Sequence, residues 1–165
     1  MSGAISRVLL WLFVINLGIA FGAGIYEGRI VVSQWVTVAP NAMPHWNADA
    51  ARRDDTGLPF WVFVTTIPLT LLAVTNLIAA WLASGPARVW WLGAALAALA
   101  DRAFTFCYFI PRMVRLMNSG DSPESASAAM QWVRLNYVRH ALVLIAWLGA
   151  LKAFALVYQH SGPRP

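Results

Sequence analysis

Four long apolar segments dominate this chain, and two of them carry charge well inside. They run over Val8–Tyr26, Phe60–Ala83, Val89–Ile110 and Tyr137–Tyr158. At ~1.5 Å of rise per helical residue, each can cross about 30 Å of hydrocarbon. Asp101 and Arg102 lie in the middle of the third segment, and Lys152 lies inside the fourth. A charge at that depth costs about 2.5 kcal/mol or more unless it is paired or reaches a watery cavity. These residues are therefore either the lock of a helix bundle or part of a polar site within it.

Only 12% of the 165 residues are charged and 59% are hydrophobic. A soluble domain would carry about 25% charged residues. The expected fold is all-α: one integral membrane domain over 1–165, a four-helix transmembrane bundle with helices extended beyond the bilayer on one side. The first segment does not read as a cleavable signal peptide. Its apolar run is long, and Tyr26, Glu27 and Arg29 follow it without a small-residue cleavage pattern. The single cysteine, Cys107, excludes an internal disulfide and reads as a small buried apolar residue. The net charge of +5 does not point to nucleic acid, because the basic residues form no run. Trp35, Trp61, Trp81, Trp90, Trp91 and Trp132 lie near segment ends, where an interfacial aromatic belt would place them.

The first helix is expected from about Ser6 to Val38, stopped by Pro40. Its Gly18-x-x-x-Gly22 and Gly24-x-x-x-Gly28 spacings let another helix approach closely, which makes a homo-oligomer one reading. A polar connector follows over Asn41–Leu58. The second helix runs from Pro59 to Ala83, and the short link Ser84–Arg88 makes the next helix its antiparallel neighbour. The third continues through Pro111 to about Asn118. Ser122, Pro123 and Glu124 then read as a cap, a first-turn proline and an acidic first turn. From there a helix runs to Tyr158. The connectors 27–59 and 111–136 therefore share one side, and the chain ends share the other. Arginine counting would turn the connectors to the cytoplasm, yet several of those arginines sit beside acids and are equally candidate site residues, so the orientation stays open.

Two constellations could carry chemistry. The first is intramembrane. Helical rise puts Asn16 about 13 Å and Asp101 about 19 Å from the terminal-side interface, with Asn76 and Lys152 about 10 Å in. These four could form one network, with Asp101 paired to Arg102 or Lys152, or Lys152 could snorkel to the near interface. Depth favours reading them as a lock, with Arg102 the residue best placed to reach the connector side. A small transporter or proton path using Asp101, Arg102 and Lys152 is a further reading. The second constellation lies at the connector-side interface. Glu27, Arg112, Arg139 and His140 are the candidate catalytic residues there. Tyr26, His45, Trp46, Arg102, Tyr108, Trp132 and Asn136 are the candidate binding residues. Asn136, Arg139 and His140 share a helix face by their i, i+3, i+4 spacing. Glu27 could act as a general base while the arginines hold an enolate or phenolate oxygen. An ordinary interface belt of paired charges is the alternative. Glu27, His45 and His140 could offer a metal three ligands only if three elements converge, and the expected cofactor is none.

The run Gly22-Ala23-Gly24-Ile25-Tyr26 followed by Pro40, the run Tyr108-Phe109-Ile110-Pro111-Arg112 with Leu116-Met117, and Trp132 with Asn136 and Arg139 resemble a family. It is that of the anthrone oxygenase-like small four-helix bacterial membrane proteins. The resemblance spans nearly the whole chain. It implies four membrane helices, a place in the bacterial inner membrane, and oxygenation of polycyclic anthrones to quinones without metal or flavin. Tyr26, Pro111, Arg112, Trp132, Asn136 and Arg139 are the matching positions. Glu27-Gly28-Arg29 and the Asp101-Arg102 pair depart from the family's pattern. The function expected is an interfacial pocket for a lipophilic small molecule, with oxygenase-like chemistry. The alternative is a non-enzymatic accessory or oligomeric subunit packed through the Gly18/Gly22 stripe.

Overall fold

The computed structural model describes residues 3–37, 44–54 and 57–159. Four helical rods, Ala4–Gln34, Pro59–Leu82, Ala87–Met117 and Pro123–Gln159, are each long and apolar enough to cross a membrane. Their regular parts are α1 (Gly3–Tyr26), α3 (Ile67–Leu82), α4 (Ala87–Phe104), α5 (Ile110–Met117) and α6 (Pro123–Gln159). A short helix α2 (Ala48–Asp54) and a two-stranded antiparallel ribbon, β1 (Val36–Thr37) with β2 (His45–Trp46), fill the first connector. The chain thus forms the expected all-α four-helix bundle. α6 packs on α4 and α1, and α3 packs on the same two, closing a ring.

Small residues make that ring tight. Ala73, Ala80, Ala94, Ala98, Ala146, Ala150 and Ala153 are buried along the seams, around Leu10, Phe13, Leu17 and Leu69. Between helices in lipid there is no water to expel, so association rests on close van der Waals packing. The large apolar side chains point the other way. Trp11, Leu71, Ile78, Trp81, Leu82, Val89 and Leu148 are exposed on the outside of the bundle. An apolar belt of that extent belongs in a bilayer, and the protein is an integral membrane protein.

The tight link between α3 and α4 turns at Gly85, whose φ of +85° lies in the left-handed region that glycine occupies freely. Ser122 caps α6 as expected, its Oγ accepting from the Ser125 N–H at 3.1 Å.

Three segments depart from regular α-helix, at Glu27–Val31, Gly57–Thr66 and Thr105–Phe109, each wound as wide π-helical turns. Proline accounts for part of this. Pro68 has no N–H, so the carbonyl of Val64 four residues back loses its helical donor. Asn16 Nδ2 donates to that carbonyl at 2.9 Å. A neighbouring helix thus satisfies the backbone group that the proline frees, which lipid cannot do.

Several expectations are corrected. The first helix ends at Gln34 and gives way to β1, not at Val38; Pro40 and Asn41 lie outside the described residues. The connector that follows is no polar loop. Trp35, Trp46, Ala50 and Ala51 pack with Leu116, Ala126 and Ala129 into a second core, forming a cap on the bundle. Trp35, Trp91 and Trp132 are buried, and only Trp81 and Trp90 of the expected belt are largely exposed. Cys107 is exposed on the outer face of its helix, not buried. The Gly18/Gly22 stripe is not one packing surface either. A Cβ on Gly18 would stand 3.3 Å from the Trp147 ring of the same chain, whereas Gly22 has nothing within 4 Å.

Candidate functional site

The three wide-turn segments converge on one cavity of about 260 Å³ at the connector end of the bundle. Glu27 comes from the first, Trp61, Val62 and Thr66 from the second, and Thr105 and Phe109 from the third. α6 adds Trp132 and Arg139, α5 adds Met113 and Met117, and Trp35 comes from the cap side. An extra residue in a helical turn rotates the side chains that follow it, and such turns recur at functional sites. Here they bring a carboxylate, an indole and a phenyl ring to a common space.

The polar groups are held firmly. Trp61 Nε1 donates to Glu27 Oε1 at 2.5 Å. Arg139 Nε donates to Asp101 Oδ1 at 3.2 Å, and its Nη1 donates to Asn136 Oδ1 at 3.2 Å. Its guanidinium carbon lies 4.7 Å from the centre of the Phe109 ring. Behind this layer, Arg102 curls back on its own neighbour. Its Nε donates to Asp101 Oδ2 at 3.0 Å, and its Nη2 bonds the same oxygen. Asp101 is fully buried and Arg102 is 4% exposed. Their pairing with each other and with Arg139 offsets the desolvation that an isolated buried charge would suffer. Thr105 Oγ1 donates to the Asp101 carbonyl at 2.8 Å, tying the third wide turn to this triad. Trp132 Nε1 donates to the Phe109 carbonyl at 3.3 Å.

The expected intramembrane network is therefore not one network. Asn76 forms a separate node, donating to the carbonyls of Leu9 at 3.1 Å and Leu72 at 2.9 Å. It also accepts from Trp91 Nε1 at 2.9 Å. Asn16 serves Val64. Lys152 is exposed, about 20 Å along α6 from Arg139, and takes no part with Asp101. Asp101 pairs with Arg102 and Arg139, and through Arg139 it connects to Asn136.

Of the second constellation, Glu27, Arg139 and Trp132 meet at the cavity, with Asn136 and Arg102 behind it. His140 lies elsewhere, in a second depression of about 260 Å³ between α1 and α6. Gly24 and Gly28 make room for its ring: a Cβ on Gly24 would stand 2.9 Å from Nε2, and one on Gly28 3.4 Å from Cε1. Tyr108 and Arg112 line neither space, and the Tyr108 hydroxyl and Arg112 Nε are buried without a partner among the described residues. Tyr26 is exposed on the flank. His45 and Trp46 belong to the cap. His45 Nδ1 pairs with Asp121 Oδ2 at 2.5 Å, the Trp46 N–H donates to Asp121 Oδ1 at 3.0 Å, and Trp46 Nε1 donates to the Leu116 carbonyl at 3.0 Å. Glu27, His45 and His140 thus occupy three places, and among the described residues no three His, Cys, Asp or Glu side chains gather as a metal group. Sequence reasoning missed Trp61, Thr105, Phe109, Met113 and Met117. The available signal was Pro68 and Pro111, prolines inside apolar spans.

No protein-family model, curated protein or solved structure matches the chain. The fold is that of a four-helix integral membrane protein, with an open, largely apolar pocket near its connector end.

Proposed function

We propose that the protein binds a lipophilic ring compound bearing an acidic C–H or O–H in the Glu27–Arg139 cavity. The observation that carries this reading is one carboxylate and one guanidinium lining an otherwise apolar, aromatic space. Small-molecule sites commonly combine such walls with a few fixed polar groups. At ~30 Å³ per water, the volume equals roughly nine waters, room for a compound of one or a few fused rings. Phe109, Trp61 and Trp132 supply ring faces and edges. Arg139 keeps its Nη2 donors for an oxygen of the ligand, because Nε and Nη1 serve Asp101 and Asn136.

The resemblance to anthrone oxygenase-like proteins extends this to a reaction. Glu27 takes a proton from the acidic carbon, and Arg139 holds the enolate oxygen that results. The carbanion reacts with dioxygen. The ring CH2 becomes C=O, one oxygen atom enters the product, and the other leaves in water with the two hydrogens. Asp101 and Asn136 keep the Arg139 fork in place.

Purified protein in nanodiscs, given a panel of anthrones and lipophilic phenols, tests both levels through ligand quenching of tryptophan fluorescence and oxygen uptake. Glu27→Gln is expected to lower oxygen uptake by about 100-fold or more while the folded protein retains binding. Unchanged uptake in Glu27→Gln would remove the base, and a panel without a binder would favour the accessory-subunit reading.

A further inference from the structure

The second depression, between α1 and α6, has a different chemical character from the Glu27–Arg139 cavity. Its lining changes character along the two helices. The deep end is apolar: Phe21 and Ile25 on α1 stand opposite Leu144 and Ala141 on the antiparallel α6. Above it come the polar groups, Arg29 on one side and Asn136, Tyr137 and His140 on the other, with Val32 and Val133 closing the connector-side rim. Phe21 and Arg29 are separated by about 12 Å of helical rise, so the gradient runs from the acyl region up to the headgroup level.

The depression is also open to the flank. Ile25, Arg29, Tyr137 and Ala141 are all exposed, and Ser33 and Arg134, one turn further toward the connector end on each helix, are exposed as well. Among the described residues, no hydrogen bond or ion pair engages the Arg29 guanidinium, and no acidic side chain lines the groove. Asn136 adds donor character, since its Oδ1 already accepts from Arg139. The inner wall is set by glycine: the His140 ring lies against Gly24 and Gly28, which leaves the groove its depth.

We infer that this groove holds an anionic phospholipid of the surrounding bilayer, with its phosphate at Arg29 and the first part of one acyl chain along Phe21, Ile25 and Leu144. A free inorganic anion would use only the polar end and leave the apolar end uncovered. A fatty acid would offer a carboxylate without the second chain and headgroup. A basic side chain at headgroup level above an apolar trough is the pattern by which membrane proteins select anionic lipids. The groove shares Asn136 with the arginine layer of the cavity, so a bound lipid would also cover the outer side of the wall between the two spaces.

Native mass spectrometry of the full chain, released from mild detergent after exchange with defined lipids, tests this. The probes are phosphatidylglycerol, phosphatidylcholine, oleate and inorganic phosphate, each at equal concentration. The expected result is one retained phosphatidylglycerol, preferred over phosphatidylcholine by about fivefold, the weight of one basic residue at the membrane surface. Arg29→Gln removes that preference. Ala141→Trp fills the groove and removes the bound lipid altogether, with no change in charge. Arg115→Gln, the same charge change at an exposed site on α5, leaves both intact. Equal retention of both phospholipids by the unaltered protein, equal loss in Arg29→Gln and Arg115→Gln, or lipid retained in Ala141→Trp would each overturn the proposal. Oleate or phosphate retained as strongly as phosphatidylglycerol would overturn it as well.

Discussion

Arg139 on α6 reaches across the bundle to Asp101 on α4, its Nε 3.2 Å from the carboxylate Oδ1. This one contact links the two helices, fixes the guanidinium beside Phe109, and gives the buried Asp101–Arg102 pair its second cation. Removing the carboxylate would leave two arginines without their shared partner in a dry place. Asp101→Ala is expected to destabilise the protein by about 3–5 kcal/mol, the usual cost of breaking a buried pair from one side. Reversible unfolding in mixed micelles would measure it. A loss below 1 kcal/mol would mean that the arginines find other partners.

Asn76 joins α1, α3 and α4 through Leu9, Leu72 and Trp91, far from the cavity. Asn76→Leu should cost about 0.6–2 kcal/mol, the range for polar contacts between membrane helices. Ligand binding should stay at the level of the unaltered protein. A double-mutant cycle with Trp91→Phe would show coupling between the two, and additive losses would speak against the contact.

Gly24 and Gly22 differ sharply although they are two positions apart. A Cβ on Gly24 meets His140 Nε2 at 2.9 Å, while Gly22 faces open space. Gly24→Ala is expected to cost about 1–3 kcal/mol through overpacking, with most of it recovered in Gly24→Ala/His140→Ala. Gly22→Ala should leave the unfolding midpoint where it is. If the two glycine variants behave alike, the close approach of α1 and α6 at His140 is not what constrains Gly24.

The cap is held to the loop before α6 by Asp121, which takes both the Trp46 N–H and His45. Both His45 and Asp121 are about half exposed, so the ion pair itself contributes little. The backbone bond contributes about 1 kcal/mol. Asp121→Ala should therefore loosen the cap without unfolding the bundle. Hydrogen exchange would rise over residues 44–54 and remain slow over α3. Uniform acceleration in both would show that cap and bundle are one cooperative unit.

The four spans were legible because apolar runs of that length admit few other structures in a bilayer. The turn at Gly85, the cap at Ser122 and the helix through Pro111 were legible for local reasons. The folded cap was not, because its core is built from alanines and from tryptophans that equally suit an interfacial belt. The cavity was half legible. Glu27, Arg139 and Trp132 stand out as polar or aromatic residues at one depth. Trp61, Thr105 and Phe109 come to the same space only because three helices widen there, and hydrophobic periodicity does not report a change of helical register. The partner of Asp101 was not legible either, since the contact with Arg139 joins two helices and helical spacing along one of them does not report it.

The central claim is that a lipophilic ring compound sits between Glu27 and Arg139. A diazirine-bearing lipophilic phenol, photolysed with the protein in nanodiscs and mapped by peptide mass spectrometry, tests it most directly. Labels are predicted on the segments carrying Trp61, Phe109 and Met113, and competition by the unlabelled phenol should remove them. Labelling confined to the outer flank, or cavity labels that survive competition, would contradict the account.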